Sequence, residues 1–308
     1  MSVLTSHALV GVSYDGTIIP CSGGNISFEI SEVAAGAGQG IFNTVAALKQ
    51  VGGKVSITTP ALDIAYGALG EHAPIAAGTP LILYFAKRIQ GGIYEAAEET
   101  DDHISVTCYN GVIVWSGLSA SHNEIAQMTY EATLASDGAG GDPITLDYAA
   151  LPTDIGLALI FTSGQVKIKS TFYDVSQMSY DPGYAVVREG AGGLPWSTMV
   201  AVKMGQASGS FTVQGAAIIT ELTEIGKYEA ASIFYFRAFD GTNANGRVPP
   251  GAPTHFKIAL GKAIYMPQSM SGAWTETTSF PVRVVPYSNP TTIPVVAPHA
   301  VTVAAAIV

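Results

Sequence analysis

The chain has 308 residues, more than the usual single domain of about 100–200 residues, so two domains are expected. Apolar residues make up 48% of it and charged residues only 12%, about half the globular norm of roughly 25%, so much of the surface is expected to be covered rather than wet. A net charge of −10 argues against a nucleic-acid binder, which neutralises phosphates with Lys and Arg.

No apolar run approaches the roughly 18 residues of a membrane helix. The opening MSVLTSHALVGVSYDG has no basic stretch followed by an apolar one, so no export signal is expected. Burial against other protein is the remaining use for a charge-poor surface, and it points to oligomerisation. The charge is uneven. Residues 1–150 hold fifteen acidic against four basic side chains, a net of −11, whereas 151–308 hold nine against ten, a net of +1.

In chain order, strands are expected near 8–13, 17–20 and 25–31, where Ile26-Ser27-Phe28-Glu29-Ile30 alternates apolar and polar side chains. Asp15-Gly16 signals a type I′ hairpin between the first two. A long functional loop, 32–53, is expected around Ala35-Gly36-Ala37-Gly38-Gln39-Gly40. A strand near 53–59 is followed by Leu62, Tyr66 and Leu69, at the spacing of one helix face. Strands near 79–86, 102–109, 111–118 and 126–135 follow, with a second hairpin signal at Tyr109-Asn110-Gly111. Residues 136–152 (SDGAGGDPITLDYAALP) read as a linker. Beyond it, strands are expected near 157–162, 165–173, 198–204, 208–215, 230–237, 253–260, 262–269 and 279–287. A second loop, 173–196, and a second helix face at Ile218, Leu222 and Ile225 fall at matching places. The uncharged tail after Ser288 reads as an extended arm that pairs with a neighbouring subunit.

The chain resembles itself. His103–Ser136 aligns with His255–Ser288 without a gap at an offset of 152, so that His103 meets His255 and Val106 meets Ile258. Ile82-Leu83-Tyr84-Phe85 matches Ile233-Phe234-Tyr235-Phe236 at 151, and Val55-Ser56-Ile57 matches Phe211-Thr212-Val213 at 156. Offsets that drift by a few residues are what loop-length changes produce. The fold class expected is therefore mainly β, with two tandem β-sandwich or barrel domains, each carrying one short flanking helix. The divisions are 1–150, 151–288 and an arm over 289–308.

Chemistry has little to anchor it. His7, His72, His103, His122, His255 and His299 form no HxH or HExxH pattern, and Cys21 and Cys108 stand 87 residues apart, so metal ligation has weak support. His103 and His255, each at a strand start, read as packing or hydrogen-bonding residues. Gly36–Gly40 lacks the Lys-Ser/Thr of a phosphate loop, and there is no GxSxG elbow. Glu98, Glu99, Asp101 and Asp102 lack the spacing of a calcium loop, and the acidic run 95–102 reads as solvated. Tyr84, Phe85, Tyr235 and Phe236 read as core. No catalytic, cofactor-binding or metal residue is assigned and no cofactor is expected. The cysteines are expected to be reduced packing thiols.

Two sheet-forming repeats with one flanking helix each, a long loop after the early strands, low charge and an apolar arm resemble the tail-tube proteins of long-tailed bacteriophages, in the duplicated-domain form. That resemblance implies a non-enzymatic structural protein of the virion tail, assembled in the host cytoplasm. Its copies would form trimeric pseudo-hexameric rings, or hexamers, whose sheets join edge to edge. Stacked rings would make a tube that passes DNA without binding it specifically. Tape-measure, tail-terminator and baseplate proteins would be partners, and no membrane is involved. Two alternatives stand beside it: another tail component such as a baseplate hub or terminator, and a carbohydrate-binding β-sandwich. The latter would need an exposed aromatic platform, and Trp115, Trp196 and Trp274 lie in unrelated places in the two repeats. A glycosidase with paired carboxylates ranks last, because no pair is singled out by position.

Overall fold

Strands with alternating apolar residues need two sheets to share a core, and this requirement organises the chain. The computed structural model describes residues 6–35, 45–88, 102–136, 141–153, 155, 159–190, 196–214, 218, 231–239, 246–269, 279–287 and 298–307. The first series of elements is β1 (Ser6–Tyr14), β2 (Thr17–Pro20), β3 (Gly23–Ala35), β4 (Val45–Thr59), α1 (Leu62–Leu69), β5 (His72–Ile75), β6 (Leu81–Arg88), β7 (Ile104–Cys108), β8 (Gly111–Ser121), β9 (Gln127–Leu134) and β10 (Ile144–Tyr148). The second is β11 (Ile160–Ile168), β12 (Thr171–Asp181), β13 (Tyr184–Glu189), β14 (Met199–Met204), β15 (Ser208–Gln214), β16 (Ser232–Phe239), β17 (His255–Leu260), β18 (Ala263–Pro267), β19 (Ser279–Pro286) and β20 (His299–Ala305). The chain is mainly β, and every ladder between these strands is antiparallel.

Local sequence accounts for much of this. In β9, Met128, Tyr130, Ala132 and Leu134 are buried while Gln127, Thr129 and Glu131 face the other way. In α1, Leu62, Ala65 and Leu69 are buried, and the Gly70 N–H closes the helix on the Tyr66 carbonyl at 2.8 Å. Asp15 and Gly16 both have positive φ, 46° and 75°, as a type I′ turn requires. At Asn110-Gly111 only the glycine does, at 148°. That glycine serves close approach, because a Cβ there would collide with the Thr133 carbonyl.

The ladders occur in two matching sets. One sheet runs β10-β7-β6-β1-β2, and its counterpart runs β20-β17-β16-β11-β12. Val12 pairs Leu83, which pairs Val106, which pairs Leu146; in the same places Val166 pairs Phe234, which pairs Ile258, which pairs Val301. Both sets have a register shift at the same point, between Leu9 and Gly11 and between Ser163 and Val166. The facing strands run β3-β4-β9-β8 in one set and β12-β15-β19-β18 in the other. β12 does the work of both β2 and β3, pairing β11 through 171–174 and β15 through 175–181. By these ladders Ile57 corresponds to Phe211, since Ile57 pairs Tyr130 and Phe211 pairs Val282. The sequence match Ile57–Val213 is thus two residues out of register, which keeps every side chain on its proper face. Buried residues of all these sheets and of α1 belong to one continuous core.

Several expectations need correction. The loop expected over 32–53 is strand at 32–35 and 45–53, in one long β3–β4 hairpin; residues 36–40 and 41–44 lie outside the described residues. The loop expected over 173–196 is largely β12 and β13, with β13 returning through β14 as a two-stranded ribbon. Glycine-rich stretches dominate both segments in the sequence, and pairing across the hairpins outweighs that local signal. The separate strands near 157–162 and 165–173 are β11, which runs on to Ile168, and the start of β12. The linker 136–152 contains β10, held on β7. The arm over 289–308 is not free for a neighbour at 299–305, which is β20 on β17 of the same chain, leaving its apolar side chains partly covered. The helix expected at Ile218, Leu222 and Ile225 lies outside the described residues except for Ile218, which is buried in the core. Among the described residues no helix is long and apolar enough to cross a membrane.

Candidate assembly interface

The two strand sets meet edge to edge. Residues 118–121 of β8 pair with 177–180 of β12, from Leu118↔Tyr180 to Ser121↔Gln177, so the two facing sheets continue into one. Side chains interleave beneath this seam. Trp115 of β8, fully buried, lies 5.7 Å from the ring of Tyr180 and 5.9 Å from His299, with Tyr66 of α1 edge-on at 5.8 Å. Tyr66 also meets Phe256 of β17 edge-on at 5.9 Å. Such aromatic pairs contribute about 0.5–1.5 kcal/mol each beyond their buried area. Helix α1 packs against both β2 of its own set and β20 of the other.

A polar cluster closes the seam. Glu71, just past α1, accepts hydrogen bonds from the hydroxyls of Tyr184 on β13 and Tyr66, the latter at 3.4 Å. His299 Nε2 sits 3.2 Å from Glu71 Oε1, at ion-pair distance but without the alignment of a hydrogen bond. The imidazole, followed by the phenol hydrogen bonds, holds the Glu71 carboxyl down at about 2 against the burial that opposes it. Burial and the same carboxylate push the Tyr66 and Tyr184 hydroxyls up. Further out, the ribbon β13–β14 is tied to the first set. Arg188 reaches Glu29 of β3, which also pairs with Lys54 at 2.7 Å, and these hydrogen bonds pull the Glu29 carboxyl down to about 2. Trp196 donates from Nε1 to Asp142 at 2.7 Å, and the Ser136 N–H reaches the Ser197 carbonyl at 2.8 Å.

Elsewhere the sheets end with no further strand among the described residues. β3 closes the long sheet on one side with no strand beyond it among the described residues, and Phe28 and Ile30 on it are 48% and 64% exposed. β10 likewise ends its sheet, with Leu146 at 68% and Tyr148 at 65%. The face of the long sheet turned away from the core is lined with short polar side chains. Around the seam, Ser119, Thr129, Gln127, Ser179 and Ser210 border a shallow groove of about 490 Å³, and Ser179 and Ser210 share a 2.8 Å hydrogen bond.

The residues singled out in the sequence take structural places. His103 and His255 are fully buried and do equivalent jobs: Nδ1 of each accepts a backbone N–H, from Lys87 at 3.2 Å and from Ala238 at 3.1 Å. Burial lowers His255. His7 contacts the Asp102 carbonyl at 3.1 Å, His72 lies edge-on to Tyr184, and the His122 N–H donates to Ser176. Cys21 and Cys108 are free thiols, and burial pushes both to about 12. Tyr235 and Phe236 are buried, while Tyr84 and Phe85 are partly so. Trp115 and Trp196 are buried, so neither offers an aromatic platform, and Trp274 lies outside the described residues. So do Gly36–Gly40 and, apart from Asp102, the acidic run 95–102. Asp102 pairs with Lys87 at 2.5 Å. No group of three or more metal-ligating side chains occurs among the described residues. The sequence marks neither Glu71 nor Tyr184, and His299 only as one of six histidines without a ligand pattern. They are 113 and 115 positions apart along the chain, and no motif joins them. No family model matches the chain, and no curated protein matches it either.

Proposed function

We propose that this chain is a structural, self-assembling protein: a tail-tube protein of a long-tailed bacteriophage, with two tail-tube-like domains in tandem. Copies form rings, and the rings stack into the conduit through which DNA leaves the virion. One observation carries the reading. A single sheet topology occurs twice in the chain, and its two occurrences are already joined edge to edge through β8 and β12. A chain that solves the problem of an open sheet edge by adding another copy of the same unit has the geometry from which a ring is built.

The outward face of the long sheet supports the second half of the reading. It offers hydroxyls and amides, with few charges and both signs among them, as Lys54, Glu131, Asp181 and Arg283 illustrate. A wall of that kind gives passing phosphates no cationic row to hold them. Exposed apolar side chains on β3 and β10 suit burial against other copies and fit the charge-poor composition.

The test is negative-stain microscopy of purified protein at high concentration, with mass measured by light scattering. Rings and tubes are expected. A monomer that persists at high concentration would refute the proposal, whereas single rings that never stack would move the protein to a tube-capping position.

A further inference from the structure

The two ends of one chain carry complementary surfaces, and the joint inside the chain shows how they fit. In that joint the first half offers the β8 edge, α1 and Glu71, and the second half offers the β12 edge and the face of β20. β20 has an exact counterpart in the first half. Because β7 and β17 correspond, Leu146 on β10 occupies the place of Val301 on β20, each being paired to the matching residue, Val106 or Ile258. On β20 this face is covered: His299 is buried and Val301 and Val303 pack against the core. On β10 the same face is bare, with Leu146 68% and Tyr148 65% exposed. At His299 the first half does the covering, through Glu71 and Trp115, and α1 packs against β20. Among the described residues no second such half lies against β10.

The free edge tells the same story. β12 pairs with β8 through 177–180, and the ladders that match Phe211 to Ile57 place the corresponding stretch of β3 at 23–26. That stretch has no neighbour on its outer side among the described residues. On the second half the edge and the face come together, with the rings of Tyr180 and His299 5.3 Å apart, and the matching ladders give the first half the same arrangement.

We propose that the edge of β3 and the exposed face of β10 together dock the second half of another copy of this chain, repeating between chains the joint that β8 and β12 make within one. This rests on the self-assembly reading above and adds the surface, the partner and the polarity. The contact is heterologous: each chain gives one surface and receives another, so copies add head to tail until the ring closes.

The test uses the full-length chain with Leu146→Asp and Tyr148→Asp combined. Both side chains are solvent-exposed, so the variant keeps the wild-type circular dichroism spectrum and melts within a few degrees of wild type. Its concentration for half-assembly is expected to rise about tenfold or more, as on loss of an interface anchor. Because the variant still offers its intact second half, mixing it in equal amounts with wild type should also suppress wild-type assembly. Hydrogen exchange of the wild type gives a check free of mutation: amides of β3 near 23–26 and the β10 region slow on assembly. A variant that assembles like wild type, or wild-type rings with no slowing there, overturns the assigned surface and leaves self-assembly standing. An inert variant that fails to disturb wild type overturns the head-to-tail polarity. Wild-type protein that never assembles sinks the self-assembly reading itself.

Discussion

Replacing Glu71 by alanine is expected to loosen the joint between the two halves. The carboxylate accepts from Tyr184, accepts a longer bond of 3.4 Å from Tyr66, and faces the buried His299 at 3.2 Å. A hydrogen bond to a charged acceptor contributes about 1.5–3 kcal/mol, and an acceptor's removal also leaves its buried donors unpaired. Water offsets part of this, because the Glu71 side chain keeps 27% exposure. The net cost expected is about 2–3 kcal/mol, which for a chain of this size lowers the melting temperature by about 3–5 °C. Scanning calorimetry and thermal circular dichroism measure it. The pH dependence has a definite sign. Folding holds the Glu71 carboxyl at about 2, below its ordinary 4.5. A depressed folded value contributes stability above the unfolded value and loses it as pH falls toward the folded one. The melting-temperature gap between wild type and Glu71→Gln should therefore stay constant from pH 8 to pH 5.5 and narrow between pH 4.5 and pH 3, about the window those values set. An unshifted Glu71→Ala, or a gap that does not narrow in acid, refutes the role given to this cluster.

His103→Ala and His255→Ala should destabilise by similar amounts, about 2–4 kcal/mol each, since each removes a buried acceptor from a strand N–H and leaves a cavity; urea titrations that differ by more than about twofold would contradict their equivalence. Gly183→Ala should cost about 2–3 kcal/mol, because φ is +77° and the added Cβ would lie 2.6 Å from the Gln206 carbonyl carbon. Its melting temperature tests this, and a neutral substitution would mean the β12–β13 turn rearranges freely. Cys108 should resist alkylation at pH 8 in the native protein and react fully in denaturant, as a buried thiol pushed to about 12 requires. Mass spectrometry reads the adduct, and rapid native labelling of Cys108 would contradict its burial.

What could be read in advance was whatever depends on neighbours along the chain. The alternation in 127–134 and 208–214, the Asp15-Gly16 turn and the helix face of Leu62 and Leu69 are written at periods of two residues or about four, because a strand or a helix presents its faces at those spacings. The offset of 152 that matched His103 with His255 was legible for the same reason, and the two rings accept equivalent backbone N–H groups. Glycine-rich sequence obscured β3, β4 and β13, where cross-strand pairing outweighs weak local propensity.

Nothing local announced β10, a strand because β7 presents an edge to it, and the apolar tail announced an extended arm without saying that β17 of its own chain would take it. The same holds for the seam. Leu118 meets Tyr180, and Glu71 gathers Tyr184 and His299, across separations that no periodicity spans. Composition and pattern alone determined that this chain would be β-rich, doubled and short of charge. Which edges close inside the chain and which stay open was decided by tertiary structure, because a strand edge is satisfied by whatever backbone reaches it in space, at any distance in sequence.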